Sequence, residues 1–258
     1  MTLIISIFVV LFGLAFGSFL NVCISRLPRH KSIVRPASFC LSCGEPIRAT
    51  DNLPILSWVM LGGRCRHCGW NIPWRYPMVE LAMAALLLLT YLNFGLTPEA
   101  AGMGVLCFLL LGLAIMDAET LLLPNSFTYP GIVLGVACSG LLGGWRAGIL
   151  SLGYALAAAA LILLIRGAYW LVRRQEGMGL GDARLLALIA AWLGPWQTLL
   201  TLFLGVLAAA IFGLIWISMK KRSAGALQLP FGSFLCAAAI YTIFAGQPII
   251  HWYLQQFR

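Results

Sequence analysis

The feature that most constrains this chain is a succession of apolar runs, each about 17–25 residues long and almost free of charge. A helix of about 20 residues spans the ~30 Å hydrocarbon core of a bilayer. The 258 residues are 61% hydrophobic and 10% charged, with a mean hydropathy of +0.94. A soluble domain carries about 25% charged residues, and this composition cannot cover a water-facing surface. In lipid every backbone polar group must be bonded internally, so only helices or a closed barrel can span. The runs do not alternate polar with apolar, which selects helices. The expected fold is an all-α integral membrane protein of about eight transmembrane helices.

The net charge of +9 raises a nucleic-acid partner, but its distribution argues for membrane topology. Fifteen of the 17 Lys and Arg fall in three stretches: Arg26 to Arg75, Arg166 to Arg184, and Lys220-Lys221-Arg222. These are alternate connections between apolar runs, the positive-inside pattern, and they are assigned to the cytosol. Nucleic acid is therefore not an expected partner; membrane lipid is. The first run, Leu3 to Cys23, lacks a basic leader and is followed by Arg26, Arg29 and Lys31, so it reads as a retained helix with its N-terminus outside rather than a removable signal.

The chain then divides into a first transmembrane helix (1–25), a polar insert rich in Pro, Gly and Cys (26–76), and a helical bundle (77–258). Helices are predicted near Met78–Phe94, Ala101–Met116, Ser126–Leu142, Gly148–Ile165, Ala183–Leu193, Gln197–Met219 and Leu229–Ala245. Pro124 breaks the chain between the third and fourth, and Gly194-Pro195 ends a sixth that is short for a full span. The even count leaves both termini outside.

Within the insert, Cys40-Leu41-Ser42-Cys43-Gly44 and Cys65-Arg66-His67-Cys68-Gly69 form two C-x-x-C-G knuckles separated by 21 residues. Two intervening residues let both sulfurs of a knuckle face one point, the glycine permits the tight turn, and four thiolates suit tetrahedral zinc. Two disulfides are the competing reading; a cytosolic, reducing location disfavours them. An insert of about 50 residues with few large aliphatics cannot fold on its own core, whereas bound zinc supplies on the order of 10 kcal/mol. With Cys40, Cys43, Cys65 and Cys68 all ligands, no coordination position is open for catalysis, so the zinc is expected to be structural. His67 is read as a solvated side chain, and Cys23, Cys107, Cys138 and Cys236 as packing residues.

Eight acids are present, and Asp117, Asp182 and Glu80 stand apart because each lies within about a turn of an apolar run on the expected cytosolic side. An acid in the bilayer centre costs about 3 kcal/mol, so such residues are functional candidates. Asp117 directly follows Gly104–Met116, and Asp182 opens a helix after a glycine-rich stretch, Gly177-Met178-Gly179-Leu180-Gly181. If the two carboxylates converge they share a proton; one activates water while the other protonates the leaving group. The bland readings are an N-cap for Asp182 and an interfacial helix end for Asp117. A proton-coupled transporter would use similar acids, but along a path through the bilayer, whereas these three cluster on one side. A non-enzymatic scaffold would need none of them.

The motifs together resemble the type IV prepilin peptidases. Gly179-Leu180-Gly181-Asp182 matches the G-x-G-D signature of membrane aspartic peptidases, and Asp117 with Leu123-Pro124-Asn125 resembles the segment of the first catalytic aspartate. Phe16 to Val22 with Arg26-Leu27-Pro28, the paired knuckles, Pro77-Met78-Val79-Glu80 and Pro230-Phe231-Gly232 agree in the expected order along nearly the whole chain. The resemblance implies endoproteolysis of type IV prepilins and type II secretion pseudopilins at the cytosolic face of the bacterial inner membrane. It also implies N-methylation of the new N-terminal residue with S-adenosylmethionine as donor. Asp117 and Asp182 carry over as the catalytic aspartates and the four cysteines as the zinc ligands; a signal-peptide-peptidase-type protease is the nearest alternative. Asn21, Arg26 and Glu80, with Arg75, are expected to orient substrate or hold the insert over the acids. No glycine-loop cofactor fold is evident, and the donor's site is left unassigned. Two positions depart from the family pattern, Arg184 in place of Lys and Ser233 in place of a second Pro, and neither is expected to touch the acids.

Overall fold

The structure, a computed structural model, describes residues 2–174, 179–220 and 229–256. Glu176, Gly177, Met178, Lys221 and Arg222 lie outside the described residues. The described residues hold eight α-helices: α1 (Thr2–Arg26), α2 (Leu56–Met60), α3 (Arg75–Phe94), α4 (Pro98–Thr120), α5 (Asn125–Gly143), α6 (Trp145–Arg173), α7 (Leu180–Lys220) and α8 (Phe231–Gln255). All but α2 are long and apolar enough to cross a membrane, and the fold is that of a multi-pass membrane protein. Among the described residues there is no strand, only two isolated bridges in the insert. The chain forms two compact units, Met1–Phe108 and Leu109–Arg258, divided within α4.

In the first unit α1 lies antiparallel on α3. A Cβ added at Gly13 would sit 2.5 Å from the Ala84 Cα, and one at Gly17 2.5 Å from the Glu80 Cα. One turn further, Asn21 Nδ2 donates to the Tyr76 carbonyl at 3.0 Å. Contacts every four residues keep one helix stripe on the seam. Glycines there let the backbones meet, which replaces the hydrophobic driving force that lipid cannot supply. The opposite face of α1, with Leu3, Ile4, Phe8 and Phe12, is exposed, as a lipid-facing surface should be.

In the second unit the first arm of α7 is central: Leu185, Leu186, Leu188 and Ile189 are fully buried. Gly131 and Gly135 of α5 make room for Leu188 and Trp192, while Ala155, Ala158 and Ile162 of α6 pack on the same arm. α7 has 41 residues, about 60 Å as a straight helix and twice the hydrocarbon core. It is not straight. Gly194 adopts φ 72°, ψ −176°, which a glycine reaches without strain, and the chain doubles back. On the returning arm Gln197 donates to the Thr242 carbonyl, Gly205 faces Leu235 and Gly213 faces Leu229, so this arm runs antiparallel to α8. The predicted short sixth and longer seventh helices are these two arms, 180–193 and 195–220. Pro195 has no N–H for the Ala191 carbonyl; the Ser151 and Ser139 hydroxyls take its place at 2.7 and 3.3 Å.

Candidate active site and metal centre

Asp117 sits in the last turn of α4 and is 5% exposed. The helix runs one turn beyond it to Thr120, then Leu121 turns with φ 56° and its N–H returns to the Asp117 carbonyl at 2.9 Å. The extended link to Pro124, which precedes α5, carries the Leu123 side chain as a wedge. A Cβ added at Gly181 would meet Leu123 at 3.2 Å, and one at Gly232 would meet Leu123 at 3.1 Å and Asp117 Oδ2 at 3.0 Å. The starts of α7 and α8 thus close around one side chain beside Asp117.

Asp182 is the third residue of α7. Its Oδ2 accepts the Gly179 N–H at 3.1 Å, reaching back over the first turn as the acidic member of a capping box does. Asp182 is therefore not the N-cap read from the sequence: it stands at the third helical position and caps by reaching back to Gly179. The two aspartates flank the Leu123 wedge: Gly181, next to Asp182 in sequence, and Gly232, against Asp117 Oδ2, both pack on it. Segments 65 positions apart in sequence are thus brought to one end of the bundle around a single side chain.

Ser233 corrects the sequence reading. It touches the acid directly: its N–H donates to Asp117 Oδ2 at 2.7 Å, and its hydroxyl lies 3.2 Å from the same oxygen and 2.7 Å from the Ala114 carbonyl. The reason is local. Ser233 is in the first turn of α8, where N–H groups have no partner within the helix and point outward to any acceptor placed there. The available signal was Pro230-Phe231-Gly232 at the head of an apolar run. Arg184 is engaged elsewhere: its Nε donates to the Leu180 carbonyl at 3.2 Å and its guanidinium lies 5.7 Å from the Tyr129 ring centroid.

The insert holds the four cysteines as the spacing requires. Their sulfurs all lie within 4.8 Å of one another, and Cys40 and Cys68 are 3.8 Å apart. Metal–sulfur bonds of about 2.3 Å in a tetrahedron give an edge of about 3.8 Å. The two knuckles repeat one backbone pattern. The Cys40 and Cys65 N–H groups bond the carbonyls of Glu45 and Trp70, and Gly44 and Gly69 bond back to Cys40 and Cys65 with φ of 75° and 70°. The four thiols act on one another: backbone N–H groups of Cys68 and His67 pull the Cys65 thiol down to about 6, while against the Glu45 N–H, desolvation and the three sulfur neighbours push Cys43 up to about 11. The cluster can hold one metal ion, and all four donors are protein sulfurs.

Around the metal cluster, Arg66 grips Asp51 with two bonds of 2.8 and 2.6 Å. The insert is tied to the helices through Glu80, whose Oε2 accepts the Ile55 N–H at 2.7 Å and so anchors the start of α2. Arg26 donates to the carbonyls of Ser32 and Ala37. Asn21, Arg26 and Glu80, expected to act together, all line a single cavity of about 550 Å³ within the first unit.

Residues 11–94 match the family described as Bacterial Peptidase A24 N-terminal domain, and residues 104–214 match the Type IV leader peptidase family. Among curated proteins, the chain is 36% identical to a prepilin leader peptidase/N-methyltransferase of Pseudomonas aeruginosa, over 95% of this chain and 92% of that protein. It is 37% identical to one of Aeromonas salmonicida, again over 95% and 92%, and 34% identical to one of Burkholderia pseudomallei, over 93% and 85%. No solved structure matches. With both halves matched and identities of this order over nearly its full length, the chain belongs to the type IV leader peptidase family.

Proposed function

We propose that the protein is a membrane aspartic endopeptidase that removes the leader from type IV prepilins and type II secretion pseudopilins and then N-methylates the new terminus. What supports the peptidase reading is that Asp117, beside Gly232 and Ser233, and Gly181, next to Asp182, pack around the same Leu123 side chain in a chain of this family. One carboxylate takes a proton from water as the water oxygen adds to the scissile carbonyl. The other, protonated, delivers its proton to the departing amine, and collapse of the tetrahedral adduct breaks the C–N bond. Ser233 and Gly232 fix the direction of the Asp117 carboxylate, and the Gly179 N–H that of Asp182.

The metal cluster takes zinc in a structural role, since four sulfurs leave no open position. The protein sits in the bacterial inner membrane with the aspartates at the cytosolic side and both termini periplasmic, which is the orientation that the basic connections favour. S-adenosylmethionine, when bound, would supply the methyl group for the new N-terminal amine. Asn21, Arg26 and Glu80 serve the substrates of these reactions.

The test is cleavage of a purified prepilin in detergent by wild type, Asp117→Asn and Asp182→Asn. Both variants should fold and bind the same metal content yet release no leader. Cleavage at the wild-type rate by either one removes the aspartate pair from the mechanism.

A further inference from the structure

The insert is polar as a whole, yet Leu53 to Gly63 is eleven residues without a charge, seven of them large and apolar. An apolar stretch of about 10–14 residues is too short to span a bilayer and reads as a buried core helix or an interfacial segment. Burial decides between the two. Leu56, Val59 and Met60 share one face of α2 at i, i+3 and i+4 and are 62–83% exposed, and Leu53 just before them is exposed as well. That face is not core. The other face is held inward: Trp58 Nε1 donates to the Ile72 carbonyl at 3.2 Å, and the Trp58 ring lies against Trp74 with centroids 4.3 Å apart. Two contacts set the level of α2 along α3. Ile55, just before α2, donates its N–H to Glu80 in the second turn of α3 at 2.7 Å, and Trp74, which Trp58 meets, is the residue before that helix begins. α2 is therefore level with the first turns of a helix that is apolar enough to cross a membrane, not beyond its end. Trp74, Met78 and Leu81 are exposed along one side of α3, so its lipid-facing surface adjoins the exposed face of α2 at Trp74.

We propose that α2 is a membrane-surface anchor of the insert, with Leu53, Leu56, Val59 and Met60 set among the outer acyl carbons of the lipid that surrounds α3. The partner is the bilayer interface itself, on which a short segment with one apolar face lies flat. Trp58 and Trp74 stand at headgroup level, which suits a ring that is apolar in its body and polar at its N–H. The insert is then fixed to the membrane at α2 as well as at the ends of α1 and α3, and its metal cluster is held close to the lipid surface rather than on a free stalk. The proposal rests on α1 and α3 being membrane spans and on neither proposed activity.

The experiment uses the full chain in nanodiscs of phosphatidylethanolamine and phosphatidylglycerol, with the photoreactive p-benzoylphenylalanine in place of Met60 or, as a control, of Leu41. Leu41 is also exposed and apolar but sits in the first knuckle, between the clustered Cys40 and Cys43. Mass spectrometry of the insert peptides after illumination reads what each probe has captured, and metal content reports that the insert is folded. Lipid acyl chains should be captured at Met60 and not at Leu41. Equal lipid capture at the two positions, or adducts of the Met60 probe with the chain itself and none with lipid, overturns the proposal. Adducts of the Met60 probe with added purified prepilin in place of lipid make this face a substrate dock and also overturn it. A second variant, Met60→Asp, should speed tryptic cleavage at Arg64 in nanodiscs about tenfold, the least that loss of one apolar side chain from lipid gives, with metal content unchanged. An unchanged cleavage rate counts against the anchor, and where Met60→Asp loses its metal the probe result decides.

Discussion

Gly232→Ala is the sharpest probe of the aspartate geometry. The added methyl would stand 3.0 Å from Asp117 Oδ2, 3.1 Å from its Cγ and 3.1 Å from Leu123 Cδ1, where ordinary contact begins at 3.4 Å. The Asp117 carboxylate, held by Ser233 on the same turn, must give way by about 0.4 Å, measured from those contacts. A misplacement of about 1 Å at a reacting group costs about 100-fold, so 0.4 Å on a logarithmic scale costs about sixfold. Stability moves little, because the helix-propensity gain of about 1 kcal/mol from Gly to Ala offsets overpacking of about 1–3 kcal/mol. The matched control is Gly153→Ala in α6, where nothing lies within 4 Å of the new methyl. The assay is the initial rate of leader release from purified prepilin, with melting temperature in the same detergent. A Gly232→Ala enzyme working at the wild-type rate, or a Gly153→Ala enzyme equally slowed, would refute the claim that Asp117 is held for chemistry by the head of α8.

Gly17→Ala should act on the other unit by a different route. Its methyl would land 2.5 Å from the Glu80 backbone, which cannot swing aside, so α1 and α3 must separate. A loss of about 3 kcal/mol or more, seen as a lowered melting temperature and poor yield, is expected. Cys65→Ser should take the metal-to-protein ratio, measured by plasma mass spectrometry, from near one to near zero and open the insert to proteolysis; an intact insert without metal would show that the knuckles fold unaided. The Asp51–Arg66 pair predicts a pH-independent effect around neutrality. Arg66 holds the Asp51 carboxyl below its ordinary value, so the pair's contribution is complete above about pH 4 and fades only as pH falls through the lowered value. Asp51→Asn should therefore speed hydrogen exchange in the insert by one constant factor between pH 5 and 8, and a factor that changes within that window would contradict the assignment.

Much of this protein follows from local pattern. Runs such as Leu3–Cys23 are helices because lipid leaves the backbone no other way to satisfy itself, whatever the runs pack against. The two C-x-x-C-G knuckles close on one point because the turn geometry is encoded in five residues each. The break at Gly194-Pro195 is likewise a local fact, since one residue tolerates φ 72° and the next lacks an N–H. What the chain does at that break, doubling back so that 195–220 runs along α8, depends on which neighbours donate to the Ala191 carbonyl and which glycines face Leu235 and Leu229.

Sequence by itself determined the solvent, the helices, the paired cysteine knuckles and the short list of acids, because each depends on residue chemistry within one or two turns. Only the tertiary structure decided that Ser233 grips Asp117, that Asp182 shares its surroundings, and that Asn21 and Glu80 look into one cavity. Those relations join residues 59 to 116 positions apart. They are set by where glycines let helices approach, and a hydrogen bond between distant residues exists only once that approach has been made.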